Sequence, residues 1–226
     1  MITITTTTSE YTPSRTSRPS SETPIVFVVN EDVSVRDTLE LLIETSGWQP
    51  ETFASAQDFL ARSRPSVPSC LVLDVTPPDA SGLDLQRRVA VDRPDMPIIF
   101  VTGHGDVRMS VQAMKAGAME FLMKPFGDDV LVDAIRDGLE RSRRALERDA
   151  RMTALRDSYA ALTRREREVM LLVVSGLLNK QVAGQLEISE ITVKAHRGQV
   201  MRKMKADSLP ALVKMASRLG LATDWS

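Results

Sequence analysis

The chain is poor in cysteine and histidine and has no long apolar run, and each shortage excludes something. One of its 226 residues is cysteine, Cys70. A lone thiol forms no disulfide and no cysteine metal cluster within a monomer. Lying in SCLVLDV, it reads as a small buried apolar residue. His104 and His196 are the only histidines. They fall in different halves of the chain, so they are not expected to share a metal, and His104 reads as a loop residue. No apolar stretch approaches the roughly 18 residues of a membrane span. The N-terminal segment MITITTTTSEYTPSRTSRPSSETP lacks the basic start and apolar core of a secretory signal. Rich in Thr, Ser and Pro, it offers too little apolar surface to offset the entropy of ordering, so residues 1–24 are expected to form a disordered tail. Together these absences lead to the expectation of a cytoplasmic protein without a membrane partner.

What is present suits two domains. Apolar residues make up 42% of the chain, enough for packed cores. The net charge of −1 conceals a division. Residues 25–137 carry 10 Lys/Arg against 18 Asp/Glu, residues 138–157 carry 6 against 4, and residues 158–226 carry 11 against 6. An acidic front joined to a basic back implies two tasks, the second directed at a polyanion.

The front alternates between strand and helix patterns. Strands are predicted at Ile25–Val29, Gln49–Phe53, Cys70–Asp74, Pro97–Val101 and Met119–Met123. Apolar residues at helical spacing separate them, and Val130, Leu131, Ala134, Ile135 and Leu139 form the stripe of a last helix over Asp129–Leu139. Five such units predict a parallel sheet covered on both faces. Ligands of such sheets bind at the carboxyl ends of the strands, where the strand order reverses. Asn30, Glu31 and Asp32 follow the first strand, Asp74 ends the third, Thr102 follows the fourth and Lys124 the fifth. Carboxylate, hydroxyl and ammonium groups thus converge on one edge.

That grouping suits phosphoryl transfer. The Asp74 carboxylate can accept a phosphoryl group as an acyl phosphate, and such transfer depends on positioning and charge neutralisation. Mg²⁺ is held by one or two carboxylates plus water, which Glu31 and Asp74 can supply. Lys124 offers a point charge to a phosphoryl oxygen, Thr102 a hydroxyl, and Gly103 an amide without a Cβ in the way.

Residues 138–157 are charged and helical in pattern. Leu139, Leu146, Leu155 and Leu162 keep near-heptad spacing, which leaves two readings open: a short coiled-coil seam or a solvated helix. The back is all helix. Thr163 and Glu166 fit a capping box ahead of a run ending at Gly176. Asn179–Leu186 and Glu190–Met204, joined by a turn and capped by Ser189, read as a helix-turn-helix. Ser208–Leu219 follows.

The front residues resemble the receiver domain of two-component response regulators. The resemblance rests on Asn30-Glu31, on Leu73-Asp74 with Pro78, on Val101-Thr102-Gly103, and on Phe121 with Lys124-Pro125-Phe126. The back is similar to the LuxR-type helix-turn-helix through LTRREREV (162–169), GLLNKQVA (176–183) and ISEITVKAH (188–196). The whole is similar to the FixJ/NarL group. The resemblance implies a flavodoxin-like five-stranded parallel sheet over residues 25–139, a helical linker over 140–157, and an all-α DNA-binding domain over 158–223. It implies a transcriptional regulator and not an enzyme, with a sensor histidine kinase and double-stranded DNA as partners and a homodimer as the activated form. Asp74 would be the phosphoacceptor, with Thr102, Gly103 and Lys124 around the phosphoryl group. Thr102 and Phe121 would be the switch pair, although Phe121 also reads as a core residue. Mg²⁺ would be held by Asn30, Glu31, Asp74 and the Thr76 carbonyl.

Two departures stand out. Asn30 and Glu31 occupy positions that are usually acidic, the second usually Asp, so the carboxylates fall from three to two and a weaker Mg²⁺ site is expected. Pro77 precedes the usual Pro78 and biases Thr76 toward extended backbone. In the implied DNA-binding domain, Ser189 caps the groove-entering helix. Thr192, Lys194, Ala195 and His196 lie where base edges are reached, while Lys180, Arg197, Arg202, Lys203 and Lys205 face phosphates. Gly198 has no side chain to read a base. Two other functions fit parts of the pattern. One keeps DNA binding but makes the receiver a phosphorylation-independent dimerisation module. The other is an aspartyl phosphatase, disfavoured because Thr76 stands where such enzymes need a second Asp.

Overall fold

The alternating front segments form one parallel sheet. In the computed structural model, which describes residues 23–63, 65–74, 81–103 and 107–221, the chain divides into two units, Met1–Arg143 and Arg144–Ser226. In the front unit the strands are β1 (Ile25–Val29), β2 (Gln49–Phe53), β3 (Ser69–Asp74), β4 (Ile98–Thr102) and β5 (Glu120–Met123). Between them run α1 (Val33–Thr45), α2 (Ala56–Ala61), α3 (Ser81–Asp92) and α4 (Val107–Lys115), and α5 (Asp128–Ala160) follows. The strand order is β2-β1-β3-β4-β5, so it reverses between β1 and β3. That is the flavodoxin-like order expected.

Period-two alternation assigns the two cores. Phe27, Val29, Leu71, Leu73 and Phe100 face one way and pack with Phe59 of α2, Leu85 and Val89 of α3, and Ala113 of α4. Val26, Val28, Cys70, Val72, Ile99 and Val101 face the other way and pack with Ile43 of α1 and Leu131, Ile135 and Leu139 of α5. The central strands are apolar throughout because both faces are covered. Cys70 is fully buried, and burial pushes its thiol well above the usual range.

Strand limits shift slightly from expectation. β4 begins at Ile98 because Pro97 has no N–H to give the ladder, although its carbonyl accepts from Leu71 N at 2.9 Å. The shift carries Thr102 into the strand itself. α5 is one continuous helix from Asp128 to Ala160. Three of the four spaced leucines are used inside the units: Leu139 in the front core, Leu155 and Leu162 in the back. That leaves little of the apolar seam a coiled coil would need.

The back unit contains α6 (Arg164–Val174), α7 (Asn179–Leu186), α8 (Glu190–Met204) and α9 (Leu209–Arg218). α6 starts at Arg164, directly after the expected Thr163 cap. The capping box closes there: Thr163 Oγ1 accepts from Glu166 N at 3.2 Å, and Glu166 Oε2 accepts from Thr163 N at 2.7 Å. Gly176 follows α6 with φ of 89°, the left-handed conformation that ends a helix cheaply only at glycine. Met170, Met204 and Leu212 anchor one core patch, and Val169, Val182 and Val193 the other. Among the described residues no helix is long and apolar enough to cross a membrane.

One buried hydrogen bond ties α5 to the sheet. Ser142 Oγ, fully buried, accepts from the Ser69 N–H at the start of β3, 3.1 Å away. Ser142→Ala would leave that amide without its acceptor, and an unsatisfied buried donor costs about 1–3 kcal/mol. Urea unfolding of the full chain, followed by tryptophan fluorescence, should show a loss of that size.

Candidate functional site

At the reversal point of the sheet Asn30, Asp74 and Lys124 come into contact. Asn30 continues β1 by one residue, its N–H donating to Phe53 O at 3.1 Å. Its side chain is 7% exposed and engaged at both ends. Nδ2 donates to Asp74 Oδ2 at 2.5 Å, and Oδ1 accepts from Asp32 N at 2.6 Å. These neighbours fix the amide's orientation, since a flip would set oxygen against carboxylate and NH₂ against N–H. Arg36 ties down the same corner by donating to the carbonyls of Asn30 and Glu31 at 2.7 and 3.0 Å. Asp32 turns away to cap α1, its Oδ1 accepting from Ser34 N at 2.8 Å. Glu31 is exposed.

Asp74, with its side chain 9% exposed, receives a second donor: Lys124 Nζ lies 2.6 Å from the same oxygen, Oδ2. β5 delivers Lys124 because its backbone N–H continues the ladder to Thr102 O at 2.9 Å. The Lys124–Pro125 peptide is cis. Thr102 is fully buried at the end of β4. Gly103 follows it, exposed. A Cβ there would meet nothing within 4 Å, so packing does not require glycine. Phe121, register partner of Phe100, stacks on that ring with centroids 6.3 Å apart. It is partly buried against the core. Thr76, Pro77, Pro78 and His104 lie outside the described residues.

The two hydrogen-bond donors to Asp74 among the described residues are both nitrogens, Asn30 Nδ2 and Lys124 Nζ. Among the described residues no three His, Cys, Asp or Glu side chains form a group that could hold a metal ion.

In the back unit α7 and α8 are joined by a turn in which Glu187 takes φ of 53°, a left-handed conformation unusual for a residue with a side chain. Arg165 braces the turn, donating to Leu186 O at 2.7 Å and to Glu168 Oε2 at 2.8 Å. Ser189 caps α8. Its Oγ accepts from Thr192 N at 3.1 Å and shares a hydrogen bond with Thr192 Oγ1 at 2.8 Å. Lys180, Ser189, Thr192, Lys194, Ala195, Arg202 and Lys205 are exposed, while His196 and Arg197 are partly covered. Arg197 donates to Asn179 Oδ1 at 3.2 Å, linking the two helices, and Arg202 bonds Gln199. Lys205 caps α8 with φ of 54°. Lys203, expected at a phosphate, instead turns inward, its Nζ 2.7 Å from Glu166 Oε2 and 3.2 Å from Ala161 O.

Two comparisons now decide the family. Residues 26–136 match the family model of the response regulator receiver domain, and residues 160–216 match that of bacterial regulatory proteins, luxR family. Nodulation protein W of Bradyrhizobium diazoefficiens is 46% identical over 205 residues, 91% of this chain and 90% of that protein. The chain belongs to the response regulators with a LuxR-type DNA-binding domain. The transcriptional regulatory protein FixJ of Azorhizobium caulinodans is 42% identical over 197 residues, 87% of this chain and 93% of that one. The solved structure of the response regulator StyR matches with a TM-score of 0.78 and 43% identity, covering 87% of this chain and all of that one. The regulator is thus a receiver domain coupled to a helix-turn-helix domain, a transcriptional response regulator of two-component signalling.

Two features escaped sequence reasoning. The Lys203–Glu166 pair joins residues 37 apart in the chain and carries no local signal beyond the capping box. Ile191 is 79% exposed on the first turn of α8, although its apolar character gave it no place among DNA-binding candidates.

Glu166, 5% exposed, carries a testable pH dependence. The hydrogen bond from Lys203, then that from the Thr163 N–H, lower its pKa below the ordinary 4.5. A carboxyl that titrates lower when folded stabilises fully above its unfolded value and loses that contribution as pH falls through the folded one. Glu166→Gln keeps a capping acceptor but removes the charge. It should cost about 1–2 kcal/mol at pH 7. The gap between variant and wild type should narrow below pH 4.5 in calorimetric unfolding across pH.

Proposed function

We propose that this regulator receives a phosphoryl group on Asp74 from a sensor histidine kinase and thereby controls its dimerisation and its binding to promoter DNA in the cytoplasm. The observation that carries the reading is the convergence of Asn30 Nδ2 and Lys124 Nζ on Asp74 Oδ2 at the reversal point of a receiver sheet. An Asp74 oxygen forms the O–P bond as the P–N bond of the kinase phosphohistidine breaks. With both described donors on Oδ2, Oδ1 is the oxygen assigned to attack. Lys124 supplies positive charge to the transferred group, Thr102 a hydroxyl and Gly103 a backbone N–H.

Mg²⁺ would be held by the carboxylates of Asp74 and Glu31 and the Thr76 carbonyl, with Asn30 at the same corner, its Oδ1 already accepting from Asp32 N. When bound it neutralises phosphoryl charge. Asn30 lowers the charge of that set, because it brings an amide whose nitrogen faces Asp74 in place of a carboxylate. A weaker Mg²⁺ site follows.

Thr102 and Phe121 form the proposed switch pair, reporting the state of Asp74 to the surface beside β5 and α5. The receiver is assigned to residues 25–139, the helical linker to 140–157 and the DNA-binding domain to 158–223. α8 is the proposed major-groove helix. Ser189, Thr192, Lys194, Ala195 and His196 lie on its leading half, and Lys180, Arg197, Arg202 and Lys205 are the proposed phosphate contacts. Lys203 joins them only by releasing Glu166, so its main role is to hold α8 against the start of α6.

Asp74→Asn should abolish labelling by a small-molecule phosphodonor and the donor-stimulated rise in DNA binding, both read on the full chain by mass spectrometry and footprinting. Wild-type DNA binding indifferent to the phosphodonor would sink the proposal. Asn30→Asp should tighten Mg²⁺ by roughly tenfold, since a unit charge at about 4 Å is worth on the order of 1–4 kcal/mol in partly wet surroundings. Calorimetric titration with Mg²⁺ measures this without phosphorylation, and unchanged affinity would remove Asn30 from the metal corner.

A further inference from the structure

α8 is held by a narrow buried stripe of Val193, Val200 and Met204. Ile191 precedes Val193 by two residues, about 200° around the helix, and so points away from that stripe. It is 79% exposed. A β-branched apolar residue in the exposed first turn gains nothing from packing and little from helix propensity. Ala195 and Gly198, four and seven residues on, continue the same exposed face. Two polar groups of this half of α8 have other partners. Thr192 Oγ1 is engaged with Ser189 Oγ, and Arg197 with Asn179. What the helix presents is therefore a small apolar face bordered by Lys194, on a segment (158–226) with 11 Lys/Arg against 6 Asp/Glu.

The excess of cations selects a polyanion as the occupant, and the apolar face selects which feature of it is touched. In the major groove of DNA the apolar feature is the 5-methyl group of thymine. Resting on the assignment of α8 as the groove-entering helix, we infer that Ile191, with Ala195 beside it, determines specificity by packing on thymine 5-methyl groups. This discrimination comes from contact with methyl carbon and not from a hydrogen bond. It adds an apolar reader to a helix whose affinity comes from its lysines and arginines.

The test begins with duplexes enriched from a random pool by the phosphodonor-treated full chain. Each thymine of an enriched duplex is replaced singly by deoxyuridine, which removes only the methyl group. One or two of these replacements should weaken binding about three- to tenfold, the range for one lost methyl contact. For Ile191→Ala at least one of these losses should disappear, while the dependence of binding on salt stays that of wild type, because no charge has changed. Deoxyuridine without effect at every thymine would overturn the inference, as would equal losses in wild type and variant. Failure to enrich any duplex would overturn the assignment of α8, and the inference with it. Because Ile191 lies on the surface, its replacement leaves the core intact.

Discussion

A carboxylate nine-tenths removed from water is the constraint around which the front unit is arranged. Asp74 ends a central strand, and a charge taken out of water is costly unless donors compensate it. Two do so. Asn30 comes from the neighbouring strand β1 and Lys124 from the end of β5, both to one oxygen at 2.5 and 2.6 Å. Each donor is in turn held by backbone: Asn30 by Asp32 N–H and the Phe53 carbonyl, Lys124 by the Thr102 carbonyl. The parallel strand order makes this possible, because it brings the ends of β1, β3, β4 and β5 to one edge.

The back unit repeats the device with different parts. Glu166, 5% exposed, closes the capping box of α6 and also accepts Lys203 from the far end of α8. One carboxylate thus starts one helix and positions another. Both lysines keep part of their side chain in water, 37% for Lys124 and 28% for Lys203. They differ in position: Lys124 follows a strand at the carboxyl edge of the sheet, and Lys203 lies in the last turn of a helix.

Much of the front unit was readable from pattern. β1 falls where its apolar run puts it, since a strand buried on both faces has no other composition available. β2, a polar strand at the sheet edge, also keeps its expected range. The limits of β4 moved by one residue because Pro97 cannot donate to a ladder. α7 and α8 match their expected ranges because caps and turns mark both ends of each. Near-heptad leucines were more ambiguous: Leu139, Leu155 and Leu162 are consumed by the two cores, and spacing does not say which surface a leucine meets. In the crevice, the residue types at the strand ends were evident. The orientation of the Asn30 amide was not, since it depends on Asp32 N–H and Asp74 standing on either side.

Sequence alone determined the order of elements, the division of charge between front and back, and the set of side chains at each strand end, because these follow from periodicity, capping chemistry and composition within short windows. Tertiary structure decided which atom each side chain offers and to whom. It turned Lys203 from the DNA-facing candidates toward Glu166, turned Ile191 out from α8, and set the amide nitrogen of Asn30 against Asp74. The physical reason is common to all three. Helical phase and hydrogen-bond satisfaction are settled by neighbours remote in the chain, and those neighbours come together only when the cores close.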